Sequence, residues 1–365
     1  MSFFILGMGS AVPSNSLTQT EATELAQQVI CKDDQQRRLL AVLYRRAGVE
    51  HRFTALPHRM VLDWLQSDPT SGEQTIAGDG LGPTTAERMG FYSEHAPPLI
   101  KDAAQRALAD AQVEGREITH LVTVTCTGFA APGVDASLFA DLGLAPTTQR
   151  INVGFMGCHG AINGLRTAQS LTTADPDARV LLCAVELCSL HYRFQWDPQR
   201  MVANAIFADG AAAVVGGGRP PTAGDAWSVQ ATGSCLLPES TDAMTWRIGD
   251  HGFEMTLDPR VPALIRQHLP GWLAQWLDQQ GQSLETIATW AIHPGGPRIL
   301  DAVEESLSLP PGATAVSREI LAHHGNMSSP TVLFVLDRLR QAKAPRPCVA
   351  LGFGPGLFAE AALLM

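Results

Sequence analysis

The sequence predicts an α/β protein of stacked layers, because short β-branched runs alternate with helical patterns along most of the chain. Composition supports this. Hydrophobic residues make up 45% and charged residues 17% of 365, enough apolar material for a sizeable core and too little charge for a disordered chain. No stretch reads as 18 consecutive apolar residues, so the apolar runs belong to a folded interior and not to a bilayer.

Residues 3–8 form the first expected strand. A helix follows over 18–30, with Thr18 or Thr20 as N-cap and Glu21 and Glu24 in its first turns. From 37 to 52, Arg37, Arg38, Arg45, Arg46 and Arg52 are spaced among Leu39, Leu40, Val42, Leu43 and Val49, a helical pattern with a positive outer side. That face is either a phosphate-binding rim or a plain solvated surface. The Gly-, Pro-, Ser- and Asp-rich stretch 67–83 reads as a long surface loop. Residues 98–112 have helical spacing with Pro98 in the tolerated first turn, and HLVTVTCTG (120–128) is a β-branched run stopped by a glycine. Next come a helix over 135–142, strands at 149–157, 180–188 and 211–218, and a helix over 159–171. The stretch GGGRPPTAG (216–224) is the best internal boundary, since Pro220 and Pro221 interrupt both helix and strand. It divides the chain into halves 1–220 and 221–365. In the second half, WAIHPGG (290–296) and PCVALGFGPG (347–356) are strand-to-loop patterns flanking a helix over 329–341. The halves are alike in pattern, without a residue-level repeat.

Charge and cysteines narrow the function classes. Lys and Arg number 26 against 36 Asp and Glu, a net of −10, which argues against a general nucleic-acid or anionic-membrane binder. An anionic ligand would need a local basic patch. The seven cysteines are odd in number, scattered and without a C-x-x-C pair, so neither a zinc knuckle nor a disulfide framework is expected. The N-terminus MSFFILGMGSAVP has no basic segment and is interrupted by Gly7, Gly9 and Pro13, unlike a secretion signal. The expectation is a cytoplasmic, untethered protein with reduced thiols.

The segment INVGFMGCHGAINGL places Cys158 in a glycine-flanked turn between a strand and a helix. There the helix dipole and free N–H groups favour a thiolate, and Gly157 and Gly160 permit close approach of a substrate. The structural alternative is an inert core thiol, the reading given to Cys183, Cys188 and Cys348. His293 ends a strand and opens HPGGP, where the carboxyl end of a strand presents side chains to a crevice. Asn326, in HHGNMSSP, precedes a helix, as a ligand-facing amide or as a simple cap. Together Cys158, His293 and Asn326 suggest acyl-thioester chemistry. Gly7-Met8-Gly9 lacks the third glycine of a dinucleotide fingerprint, and P-loop, H-E-x-x-H and G-x-S-x-G motifs do not occur.

GFMGCHGA, the IFADGAAAVVGG run, WAIHPGGPRIL, HHGNMSSPTVLFVLDRL and GFGPGL, in this order over nearly the whole chain, resemble the type III polyketide synthases of the chalcone synthase-like family. The stretch 83–108 is similar to bacterial members. The resemblance implies a thiolase-like αβαβα fold with two similar halves and a homodimer. It implies Cys158 as acyl-accepting nucleophile, with His293 and Asn326 binding the thioester carbonyl during decarboxylation and condensation. Phe207 matches the aromatic gatekeeper between CoA tunnel and cavity. Met255 falls where many relatives carry a second phenylalanine, Cys126 falls among cavity-lining residues, and Ala131 replaces the methionine that plant relatives insert across the dimer. Arg37, Arg38, Arg45 and Arg46 correspond to a basic tunnel mouth that meets CoA phosphates, a task suited to the forked guanidinium.

The expected substrates are an acyl-CoA starter and malonyl-CoA, with no cofactor and no metal. The expected products are an alkylpyrone, an alkylresorcinol or a small aromatic polyketide. Two rivals are a ketoacyl synthase III-like enzyme performing one condensation on a carrier protein, and a non-catalytic acyl-CoA binder. HPGGP and GFGPGL favour the polyketide reading over the first, and the intact Cys-His-Asn set disfavours the second.

Overall fold

The computed structural model describes residues 2–57, 60, 65–67, 74–76, 81–221 and 226–365. The N-terminal half contributes β1 (Phe3–Ala11), β6 (His120–Thr125), β7 (Gln149–Gly154), β8 (Arg179–Leu187) and β9 (Asp209–Gly217) to a nine-stranded sheet. The C-terminal half contributes β10 (Ser228–Leu236), β13 (Thr289–Ile292), β14 (Cys348–Gly354) and β15 (Phe358–Leu364). The strand order is β13-β14-β15-β10-β1-β9-β8-β6-β7. Within it, one arrangement occurs twice. β6 and β8 are parallel, then β9 and β1 follow antiparallel; β13 and β14 are parallel, then β15 and β10 follow antiparallel. The two arrays meet where Phe3 and Phe4 face Val229 and Ser228.

The layering follows from strands buried on both faces, which is why these runs are continuously apolar. In β8, Val180, Leu182 and Ala184 face a central core, while Leu181, Cys183 and Val185 face an outer one. In β14, Cys348 and Ala350 face the same central core, and Val349 and Leu351 face a second outer one. The central core is filled by two helices, α5 (Gly160–Ala174) through Ala161, Ile162, Leu165 and Ala168, and α10 (Pro330–Gln341) through Val332, Leu333, Val335 and Leu336. One outer layer is α3 (Thr85–Ala111), packed through Ala96, Ile100, Ala103 and Ala107. The other is α7 (Val261–Gln279) with α8 (Pro297–Ser306). Five layers result, helix–sheet–helix–sheet–helix, with the duplicated strand order: the thiolase-like fold with two similar halves.

Several local expectations change. The helix placed at 98–112 begins at Thr85, and Pro97 and Pro98 lie inside it. A capping box between Thr84 and Glu87 starts it early, and burial of Arg88, Tyr92, Ala96 and Leu99 carries it through the prolines. The arginine-rich helical pattern stops sooner than drawn. α1 (Gln19–Ile30) and α2 (Asp34–Arg45) form the expected pair, but Arg52 belongs to the strand β3 (His51–Thr54), which pairs with β2 (Asn15–Thr18). In the expected loop 67–83, β5 (Gln74–Ile76) pairs with β4 (Leu65–Ser67); residues 68–73 and 77–80 lie outside the described residues. Residues 222–225 of the expected boundary do so too. A hairpin of β11 (Met244–Gly249) and β12 (Gly252–Leu257), α7, and the interior strands β10 and β15 carry no strong motif in the sequence.

Candidate active site

The two central helices carry the site. Cys158 sits in a single turn of 3-10 helix, Gly157–His159, that runs into α5. Gly157 has φ +69, a left-handed conformation, and a Cβ there would meet Pro355 Cδ at 2.5 Å, so this turn demands glycine. Asn326 and Ser328 occupy the equivalent approach to α10, and Ser328 itself holds φ at 56°, a strained value for a residue with a side chain. His293 follows β13 as Cys126 follows β6, at matching places in the two halves. Its backbone N–H donates to Leu351 O at 2.7 Å. Cys158, Asn326 and His293 are all buried, and so is Cys126.

Hydrogen bonding fixes the amide. Ser328 N–H donates to Asn326 Oδ1 at 2.8 Å, which turns the Asn326 Nδ2 donor toward the sulfur. Asn326 is also bridged to Phe207, whose neighbour Ala208 donates its N–H to Asn326 O at 2.9 Å. Both ring nitrogens of His293 are buried without a partner among the described residues. Buried polar atoms ordinarily find partners, so this imidazole is set up to meet a group that the protein does not supply.

Burial is the largest influence on the electrostatics of the site. Burial pushes the Cys158 thiol up to about 11; hydrogen bonding by Ser328 lowers it, the nearby Glu186 carboxyl raises it, and Asn326 lowers it. Burial likewise pushes His293 down to about 3. Burial thus opposes charge on both groups, the thiolate and the imidazolium alike.

Glu186, missed in the sequence, lies beneath the sulfurs. It is fully buried and accepts from Cys126 N–H at 2.9 Å, Thr127 Oγ1–H at 2.6 Å and Ser329 Oγ–H at 2.7 Å, and burial raises its pKa. A lone acid inside the apolar run VLLCAVELC was the available signal. Cys126 also faces Ser328, with Sγ and Oγ 3.5 Å apart.

A cavity of about 1380 Å³, including solvent at its mouth, opens onto Cys158. Cys126, Phe207 and Met255 line it. Its far side is apolar, with Leu17, Leu25, Tyr44 and Leu56. One wall is aromatic: His191 stacks on Phe253 at 4.2 Å, and Trp246 Nε1–H donates to Cys126 O at 2.7 Å. His191 accepts from Phe253 N–H through Nδ1 and donates to Thr127 O through Nε2, which holds it as one neutral tautomer. His293 and Asn326 are one layer deeper than the lining, and Arg37, Arg38, Arg45 and Arg46 are exposed on α2 and its C-cap without lining the cavity. Arg37 pairs with Asp34 at 3.5 Å.

The layers and the buried cysteine between two central helix N-termini define a condensing enzyme of the thiolase-like class. Residues 2–220 match the family model of chalcone and stilbene synthases, N-terminal domain, and residues 228–365 match the C-terminal domain. A 1,3,6,8-tetrahydroxynaphthalene synthase of Streptomyces peucetius subsp. caesius is 35% identical over 99% of this chain and 92% of its own. The "alpha-pyrone synthesis polyketide synthase-like Pks18" of Mycobacterium tuberculosis is 32% identical over 98% of this chain and 90% of its own. The crystal structure of PKS-I from the brown alga Ectocarpus siliculosus superposes with a TM-score of 0.91 at 30% identity, covering 100% of this chain and 98% of that one. The chain belongs to the chalcone and stilbene synthase family and is a type III polyketide synthase, an acyltransferase.

Proposed function

We propose that the enzyme loads an acyl-CoA starter onto Cys158 and extends it with malonyl-CoA in repeated decarboxylative condensations, releasing a cyclised pyrone or phenolic product. The observation that carries this reading is the buried sulfur beside the Asn326 amide donor, together with the buried His293 imidazole, whose ring nitrogens have no partner among the described residues. In loading, His293 takes the Sγ proton, the sulfur attacks the starter carbonyl, and CoA leaves as its thiolate. That proton transfer leaves the sulfur as the nucleophilic thiolate. In extension, the bond between the malonyl carboxylate and Cα breaks, CO2 departs, and the electron pair becomes an enolate. N–H donors of His293 and Asn326 stabilise its oxygen. The enolate carbon attacks the thioester on Cys158 and expels the sulfur, which accepts the lengthened chain in the next round. These donors belong to the protein, and CoA thioesters enter as substrates, not as a resident cofactor.

Incubation with malonyl-CoA and a panel of acyl-CoA starters, read by mass spectrometry, tests the reading. Pyrone or phenolic products support it; strict dependence on a carrier protein with a single two-carbon extension, or no turnover at all, overturns it. Phe207, beside Asn326 and at the cavity wall, is proposed as the gate. Phe207→Ala is expected to change the order of preferred starters while leaving decarboxylation within about threefold, since it removes contact area and not a donor.

Arg37, Arg38, Arg45 and Arg46 are proposed to meet the CoA phosphates, because they project from the helix whose Tyr44 lines the cavity. A homodimer through β7 is the further proposal. This strand is at the sheet edge with Ile151 exposed, and Phe129 and Met156 stand exposed nearby, an edge that needs covering. Ile151→Asp is expected to shift the sedimentation coefficient to that of a monomer; an unchanged value points to another interface. Among the described residues no helix is long and apolar enough to cross a membrane, and the seven cysteines are all unpaired. With CoA thioesters as substrates, these support the cytoplasm as the site of action.

A further inference from the structure

His159 follows the cysteine and is buried, yet its Nε2 has no partner among the described residues. Its other nitrogen, Nδ1, is 2.8 Å from Asn163 Oδ1. An amide oxygen accepts, so Nδ1 carries the proton and Nε2 presents a lone pair. The ring lies over β14: ideal Cβ atoms at Gly352 and Gly354 would come to 3.3 Å from His159 Cβ and 2.4 Å from His159 Cδ2. Glycine at these two places makes the room for the imidazole. β13 pairs in parallel with β14, Ile292 opposite Leu351, so His293 follows in register with Gly352. Ala291 and Ala350 face the central core, and side-chain alternation puts His293 and position 352 on that same face. His159, over Gly352 and Gly354, and His293, in register with Gly352, are therefore neighbours on the central-core face of β14, and three of their four ring nitrogens have no partner among the described residues.

We propose that His159 is a positioning residue: its Nε2 accepts, through one water, the ring N–H of His293 that does not serve the substrate. This rests on the condensation reading above. It supplies what a catalytic imidazole ordinarily obtains from a carboxylate, namely one preferred tautomer and a fixed plane, without adding a charge. It also stabilises the imidazolium that forms when the Cys158 proton is taken. The charged groups acting on His159 are Glu360 from β15 and Arg166 from α5, which pair with each other, and His159 is the titratable group acting on His293.

The test compares wild type with His159→Asn, which keeps an amide near Asn163 but lacks an atom at Nε2, and with His159→Gln, which restores a polar atom close to the Nε2 position. Malonyl-CoA decarboxylation is expected to lose about tenfold in kcat in His159→Asn with KM within about twofold, and His159→Gln is expected to recover most of that loss. Nitrogen NMR of the ring is expected to show a single His293 tautomer in wild type and a mixture in His159→Asn. Equal kcat in all three proteins, or the same tautomer in wild type and His159→Asn, overturns the inference. Absence of decarboxylation in wild type overturns the condensation reading instead, and the tautomer measurement still decides the role of His159.

Discussion

Cys158→Ala is expected to abolish polyketide formation, by at least about a thousandfold, while malonyl-CoA is still decarboxylated to acetyl-CoA within about tenfold of the wild-type rate. The separation follows from the division of labour in the site. The sulfur carries the acyl chain, whereas the enolate is stabilised by His293 and Asn326, neither of which needs the sulfur to hold its place: Asn326 is set by Ser328 N–H and by the bridge to Phe207, His293 by its backbone bond to Leu351. Product analysis with radiolabelled malonyl-CoA measures both activities at once. Undiminished polyketide formation would remove the nucleophile from the mechanism, and loss of both activities would show that the sulfur also organises the decarboxylation.

The second large effect is expected at the cavity wall. Arg52→Leu should destabilise the fold by about 3 to 5 kcal/mol, because a buried, multiply bonded cation is removed and its acceptors are left unsatisfied. Arg52 is 5% exposed and donates through Nη1 to Asn204 O at 2.7 Å and Phe207 O at 3.1 Å, and through Nη2 to Ala205 O and Gln19 Oε1. Three of these acceptors are the last carbonyls of α6 (Pro198–Ile206) and its C-cap, where a cation also opposes the helix dipole. Denaturant unfolding should show a lower midpoint with little change in slope. A loss under about 1 kcal/mol would mean that water replaces the guanidinium easily. The same clamp holds the backbone of Phe207, so surviving protein should also show altered starter selection.

Much of the architecture was legible because the strands are buried on both sides. The runs 120–128, 180–188 and 211–218 are apolar enough to be unmistakable, and the cysteine, histidine and asparagine sit at chain reversals marked by glycine. The parts that escaped have physical reasons. α3 runs through Pro97 and Pro98, a composition that argues for a start rather than an interior, because its packing against the sheet outweighs the local disfavour. Arg52 shares the spacing of its neighbours, and only the fold turns it inward to the carbonyls of α6. Glu186 and His159 act through atoms contributed by distant segments, Ser329 for the first and β14 for the second, and no local window contains those partners. The upward pull of burial on the Cys158 thiol was not legible because a sequence displays the helix dipole and conceals the loss of solvent.

The burial of the Cys158 sulfur has a consequence for survival of the enzyme in the cell. Peroxide and other small oxidants attack thiolates much faster than thiols, and they need access to the sulfur. With Cys158 8% exposed and burial opposing its ionisation, damage to sulfenic and sulfinic acids should be slow between turnovers. The moment of vulnerability is then confined to the brief interval when a condensation has just expelled the sulfur and no acyl chain yet covers it.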